Sequence, residues 1–428
     1  MNRPVVITGV GVVSPLGVGA EAHWQSLVSG RSAVSRIERL AKLGFPVDVA
    51  AEVRPEDFAG CLSRLSRKQV KLYNRTTALA LAAAALAAAD AGIVAPVSDP
   101  LRAGVFLATL FIPYPIQSVL RLLPDVEAAN TRNHADLGKA LARCLRDVNP
   151  LDLSLKVVPN LTAGHLAISF GLRGACRTVA DGWTGGLHAI AQAATAIREG
   201  ALDLVFCGGA ECPLEDLVFA DLCATDLLSP AADPPERTCR PFGVGRNGMV
   251  AGEGAAILVM EAEEHAARRG ARIRGAVAGF HAASSAGSPA GIRDALLRTM
   301  LGALAESHRE TADAVSLHGD GGAASDLGEA SALHALAART GTQPVAYATK
   351  GAHGSLFSAA GPLETVGAVM ALGAGAVPPS RNCHETDPAC GLSLEADGVL
   401  PMPMLRTVVV NALGAFGEAA SLAVTRAA

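Results

Sequence analysis

Residues 179–190 read VADGWTGGLHAI. A short apolar run ends in a glycine-rich turn, and a helical period starts at once, with Leu187, Ile190, Ala191, Ala194 and Ile197 on one face. In α/β proteins such a turn presents a side chain at a helix N-terminus, where peptide dipoles lower a thiol pKa or hold an anion. Here the tip is Trp183, one of two tryptophans in the chain. Trp offers one N–H donor and no nucleophile. On residue chemistry alone, the stretch reads equally well as a buried helix with a tight glycine entry.

Outward from this turn, strand-like runs alternate with helical ones. Apolar runs at 4–13, 103–110, 202–209, 255–262, 313–319, 344–350 and 406–414 are expected as buried strands. Helical patterns lie between them at about 68–92, 134–146, 186–199, 289–308, 325–339 and 358–373. The alternation predicts α/β layers. The strand–helix–strand pattern restarts near residue 255, so the chain is expected to divide into halves 1–254 and 255–428. No period of 20–50 residues marks a solenoid.

Composition narrows the function. Half of the 428 residues are hydrophobic and 18% are charged, enough for a large core without staples. The net charge of −4 and the 4% of aromatic residues argue against nucleic-acid binding, which needs a basic stripe with stacking rings. The nine cysteines form no CxxC pair, so neither zinc nor a disulfide framework is expected, and a reducing cytoplasm fits. The longest apolar run, ALALAAAALAAA at 78–89, is too short and alanine-rich to span a bilayer. A soluble chain with no membrane partner, metal or cofactor is expected.

Single motifs have plain readings. GVGVVSPLG at 9–17 begins like a dinucleotide-binding turn, but Ser14 and Pro15 stand where the third glycine belongs, and a tight turn after a strand is expected. His318 follows a strand in HGDGGAASDLGEA, with Asp326 and Glu329 downstream. Lys350 opens KGAHGSLFSAAGPLE, and a lysine among so many small and apolar residues usually pairs with a carboxylate.

Their order is more telling. The turn at 179–190, then RPFGVGRNGMVAGEGAAILVME, HGDGGAASDLGEA, KGAHGSLFSAAGPLE and NALGAFGEAAS, with VVITGVGVVSPLG and LSRKQVKL near the start, resembles the β-ketoacyl synthase family over essentially the whole chain. The resemblance implies a thiolase-like fold of two similar halves stacked α-β-α-β-α, and a dimer with sites near its interface. It also implies a Cys that takes an acyl group from a carrier protein, two His that stabilise a thioester enolate, and a supporting Lys.

Carried over residue by residue, the Cys position is Trp183 and the Ser that accompanies it is Gly185. The first His is His318, the following acids are Asp326 and Glu329, and the Lys is Lys350. The second His position, six residues before the glycine of the AAG run, is Ser355, although His353 stands close by. The gating Phe position is Ala415, with Phe416 beside it. Cys176, seven residues before Trp183, is expected at the other end of the preceding strand and not as a substitute nucleophile.

The turn, ISFGLRGACRTVADG and PLETVGAVMALGAGAVPPS are similar to the chain length factor (the ketosynthase β-subunit) of type II polyketide systems, in which Gln commonly replaces the Cys. That resemblance implies a non-catalytic subunit paired with an active ketosynthase α-subunit, which meets an acyl carrier protein through the complex. It implies a tunnel wall from TLFIPYPIQSVLRLL at 109–123, with Phe111, Ile112, Tyr114 and Gln117 as lining candidates. Arg67, Lys68 and Lys71 lie where condensing relatives carry a carrier-docking patch. Two other readings stand beside it: an enzyme with residual malonyl-carrier decarboxylase or acyltransferase activity through His318, and a scaffold that caps a complex without setting product length.

Overall fold

The computed structural model describes residues 3–63, 67–111, 138–139, 142 and 155–427. Its ten principal strands, in chain order, are β1 (Val5–Ser14), β2 (Ala103–Ala108), β3 (Cys176–Val179), β4 (Leu204–Glu211), β5 (Gly254–Ala262), β6 (Gly275–Ser284), β7 (Ala314–Ser316), β8 (Val345–Tyr347), β9 (Thr407–Leu413) and β10 (Glu418–Thr425). They lie in the order β8-β7-β9-β10-β6-β1-β5-β4-β2-β3.

One pattern occurs twice in that order. From β1 the neighbours run β5, β4, β2, β3, paired antiparallel, antiparallel, parallel and parallel. From β6 they run β10, β9, β7, β8 with the same sequence of directions. Among the described residues the two sets pair only where Val6 faces Ala276 and Ile7 faces Gly275. The expected boundary at 254/255 falls at the start of β5, whose partners are β1 and β4, and strand pairing changes set between β5 and β6.

Helices make three of the five layers. The outer face of the first set is covered by α1 (Arg75–Ala91) and α2 (Asn160–Phe170). Next in chain order comes α3 (Gly185–Arg198), then α4 (Pro289–Glu306), α5 (Ala323–Thr340) and α6 (Ala360–Ala374). Helices α4 and α5 cover the outer face of the second set, while α3 and α6 pack on each other between the two sets. Helices on both faces explain why the strands read as unbroken apolar runs. The result is the α-β-α-β-α stack that the resemblance implies.

The GVG of β1 has a packing reason. A Cβ on Gly9 would lie 2.3 Å from the Ala87 carbonyl oxygen, and one on Gly11 would lie 2.0 Å from that of Ala83. Bare glycines let the alanine-rich α1 rest on the backbone of the strand expected over 4–13, and the tight turn expected after it lies at Pro15 and Leu16. Strand β10 and helix α2, with the shorter helices Ala20–Val28, Pro55–Leu62 and Asp216–Ala224, were absent from the sequence expectation. The helix expected over 134–146 lies largely outside the described residues. Phe357–Ala374 is long and apolar enough to cross a membrane by length and composition alone, but 83% of it is buried, as the middle layer requires.

The middle layer rests on two close approaches. A Cβ on Gly186 would lie 2.1 Å from the Ser358 carbonyl oxygen and 2.2 Å from Pro362 Cδ. One on Gly361 would lie 2.8 Å from Leu187 Cγ. Gly186→Ala is therefore expected to destabilise the chain by about 2 kcal/mol through overpacking. Gly367→Ala, also in α6 but with no neighbour within 4 Å, is expected to be neutral or stabilising. Urea unfolding of the two variants measures the contrast.

Candidate functional site

The turn after β3 carries Trp183 into the core. Gly182, with φ at 57°, turns the chain, residues Gly182–Thr184 form a short 3-10 turn, and α3 begins at Gly185. The Trp183 ring is buried and meets Phe357 edge to face at 5.3 Å between centroids. Phe357 meets Phe111 in the same way at 4.9 Å. Such pairs contribute about 0.5–1.5 kcal/mol beyond their buried area. Three rings thus run in a row from the turn to the first residues of the expected tunnel wall. The middle ring has its backbone at φ 50°, which is uncommon for a bulky residue and is held there by the packing on both sides.

Trp183 borders a cleft of about 320 Å³, together with Asn247, His318, Asp320, Leu413 and Ala415 among others. The His318 ring is fixed on both nitrogens. Its Nδ1 accepts the Leu413 N–H at 3.2 Å and lies 3.4 Å from Lys350 Nζ. Two donors on one nitrogen put the imidazole proton on Nε2, which donates to Asp320 Oδ2 at 3.3 Å. Lys350 is fully buried and donates to the His318 carbonyl oxygen and to Glu364 Oε1, each at 2.5 Å. Burial raises the Glu364 carboxyl above its ordinary range, against the lowering effect of the nearby Lys350 charge.

The acids after His318 act on the backbone. Glu329 accepts the His318 N–H at 2.8 Å, the Gly319 N–H at 2.9 Å and the Asn411 amide at 3.0 Å, which holds the loop after β7 against β9. Asp326 accepts the Phe242 N–H at 2.6 Å and sits 3.4 Å from the Arg246 guanidinium, tying down the loop after 240. Burial, reinforced by Asp320, pushes the Asp326 carboxyl well above its ordinary range.

The other expected positions scatter. Ser355 is buried and absent from the cleft lining. It bonds through its backbone to Val250 and Gly252, and its hydroxyl has no partner. His353 faces away, with Nδ1 donating to the Gly354 carbonyl at 2.8 Å and its ring 5.8 Å from that of His23. Burial pulls its pKa well below the ordinary value, helped by the charges of His23 and Lys350. Phe416, beside Ala415, is 83% exposed. Cys176 begins β3, at the end opposite the turn. Lys68 and Lys71 are exposed near the short helix Arg67–Val70. Of the expected wall, Phe111 is described, while Ile112, Tyr114 and Gln117 lie outside the described residues.

With this geometry in place, comparison with known proteins is decisive. The family model "Beta-ketoacyl synthase, N-terminal domain" matches residues 2–266, and "Beta-ketoacyl synthase, C-terminal domain" matches 270–384. The chain belongs to the β-ketoacyl synthase family.

Among relatives of this synthase-family chain, a Streptomyces halstedii protein named "Putative polyketide beta-ketoacyl synthase 1" is 33% identical over 92% of this chain and 91% of its own length. The 3-oxoacyl-[acyl-carrier-protein] synthase 2 of Coxiella burnetii is 31% identical over 99% of each chain. Among solved structures, the ishigamide ketosynthase/chain length factor superposes with a TM-score of 0.84 at 28% identity, covering 100% of both chains. A type II polyketide acyl-carrier protein in complex with its hexaketide-bound ketosynthase gives 0.83 at 25%, also covering 100% of both.

Several side chains that hold the site escaped the sequence reading: Asp320, Glu364, Asn411, Phe357 and Glu211. A glutamate inside the apolar α6 was the available signal for Glu364, since Lys350 called for a carboxylate. Glu211, at the end of β4, is fully buried and accepts N–H bonds from Leu110 and Phe111 and the Ser358 hydroxyl, so it anchors the first residues of the expected wall.

Burial pushes the Glu211 carboxyl up to about 8, against the lowering effect of these donors. A carboxyl raised on folding contributes stability that is full below its unfolded pKa and lost as pH climbs through the folded one. Part of the chain's stability is therefore expected to disappear between about pH 4.5 and 8. Glu211→Gln should flatten that part of a melting-temperature profile, and an unchanged slope would contradict it.

Proposed function

We propose that the chain is a non-catalytic chain length factor: it pairs with an active ketosynthase and supplies part of the tunnel that limits the product. The observation that carries this reading is Trp183. The tip of the nucleophile turn holds an indole, and among the described residues no cysteine lines the cleft beside it. A thioester exchange needs a thiolate at that point, and an indole cannot supply one. The ring fills volume that a smaller side chain would leave empty, at roughly 24 cal/mol per Å³ of cavity.

Three further features support the reading. The ring row Trp183–Phe357–Phe111 links the turn to the wall segment as one packed unit. Among the described residues strand β3 is a sheet edge with β2 as its one neighbour, so its outer side offers backbone groups to a partner strand. Beside it lies a hollow of about 590 Å³ lined by Leu101, Phe106, Arg177, His188 and Phe280 among others. A sister ketosynthase with the same fold would bring a matching edge to that face. Carrier protein would reach the complex mainly through the active sister, with the basic group Arg67, Lys68 and Lys71 as a secondary contact. A cytoplasmic setting accords with these partners.

A second reading has its own observation: His318 and Lys350 are both in place, and His318 lines the cleft. This would be residual decarboxylase or acyltransferase activity. Release of CO2 from a malonyl carrier by the isolated subunit would favour it over the first.

The chain length reading is tested by co-production with a cysteine-bearing ketosynthase of the family. A stable one-to-one complex is expected on size exclusion. In reconstituted synthesis, Phe111→Ala should shift the product distribution towards longer chains and Phe111→Trp towards shorter ones. A distribution that ignores both changes would favour a scaffold that leaves length alone.

A further inference from the structure

Asp320 is the one acid on the floor of the cleft that touches His318 itself. It is buried, its Oδ2 takes the Nε2 proton, and its Oδ1 accepts the Gly322 N–H at 2.8 Å and the Ser325 hydroxyl at 2.7 Å. Burial alone would favour the neutral acid. The hydrogen bonds from His318, Ser325 and Gly322 outweigh it and hold the carboxyl well below its ordinary range, so it is an anion. The other His318 nitrogen is occupied by the Leu413 amide and Lys350.

We propose that Asp320 is the specificity-determining residue of this cleft, which it closes to anionic acyl groups by taking the one available imidazole proton and placing a fixed negative charge beside it. The inference rests on the non-catalytic reading and explains a second layer of it. A group that stabilises a developing oxyanion must have its donor free and aimed at the oxygen. Here the donor is already paired with an internal carboxylate. An incoming malonyl carboxylate, or the enolate it leaves, would meet like charge at close range in a low-dielectric site. The closing turn repeats the arrangement on a smaller scale: the Phe416 N–H is taken by Glu418 Oε2 at 3.1 Å. Restoring space at Trp183 therefore does not by itself restore chemistry.

The test uses the full chain and the malonyl thioester of N-acetylcysteamine, with CO2 release as readout. Wild type is expected to be inert. Trp183→Ala opens the cleft and should stay near background, because Asp320 still holds His318. Trp183→Ala combined with Asp320→Ala should release CO2 faster than Trp183→Ala by about tenfold or more. Trp183→Ala with Asp320→Glu, which keeps the charge, should not. A double variant no faster than Trp183→Ala, beside an inert wild type, overturns the role of Asp320 and leaves the chain length reading standing. A wild type that decarboxylates overturns the non-catalytic reading beneath it as well.

A measurement on the unmutated protein guards against variants that fail to fold. In nitrogen NMR of histidine-labelled chain, with the signal assigned by its loss in His318→Asn, His318 should be the neutral Nε2–H tautomer with a slowly exchanging proton. A proton on Nδ1, or a freely exchanging Nε2 proton, overturns the inference independently.

Discussion

The contact between α3 and α6 is the constraint from which the rest of the site follows. Gly186 lies against the Ser358 carbonyl and Pro362, and Gly361 lies against Leu187, so neither helix can retreat without opening the middle layer. Each helix carries its own entry turn to the same place. One turn presents Trp183, and the other holds Ser355, Phe357 and Ser358. The ring contact between Trp183 and Phe357 is thus a consequence of helix packing that glycine makes possible. Through Glu211 the same contact reaches β4 and the amides of Leu110 and Phe111, where the expected wall begins.

The buried groups Lys350, Glu329, Asp326 and Glu364 near the Trp183 turn have an energetic reason to be there. Each is a buried charge or acid held by a partner, and removing one partner of a buried pair typically costs about 3–5 kcal/mol because it strands the other. Lys350 holds the His318 carbonyl and Glu364, and Glu329 holds two backbone amides and Asn411. These groups set the loops after β7 and β8 whether or not any chemistry takes place. Trp183, Ser355 and Ala415 carry no such network: each can change without leaving a charge unpaired.

Much of this was legible in the chain itself. The long apolar runs marked seven of the ten strands, because strands covered on both faces carry an unbroken signal. Strands β3 and β6 gave weaker signals, as the short run before the turn and the end of the pattern that restarts near 255: β3 is four residues with two exposed, and β6 alternates buried and half-buried positions. Trp183, His318 and Lys350 could be found because fixed spacings surround them. Asp320 and Phe357 could not, since a lone acid in a glycine-rich loop and a lone aromatic before a helix have no signature until the fold brings them to a partner. Lys350 lay between these cases. Its burial demanded a carboxylate, and the helix that supplied Glu364 was already expected, but the pairing depended on which way that helix faced.

The ring row also changes how the turn acts. An indole that only filled space could be exchanged for another apolar side chain of similar volume with little consequence elsewhere. Trp183 instead braces Phe357, a residue whose φ of 50° persists because packing on both sides over-determines it. Loss of the indole would let Phe357 relax, and Phe111 would lose its edge-to-face partner in turn. Under the proposed function, the former nucleophile turn therefore acts through rigidity: it fixes the near end of the wall and leaves the residues further along it to set the length.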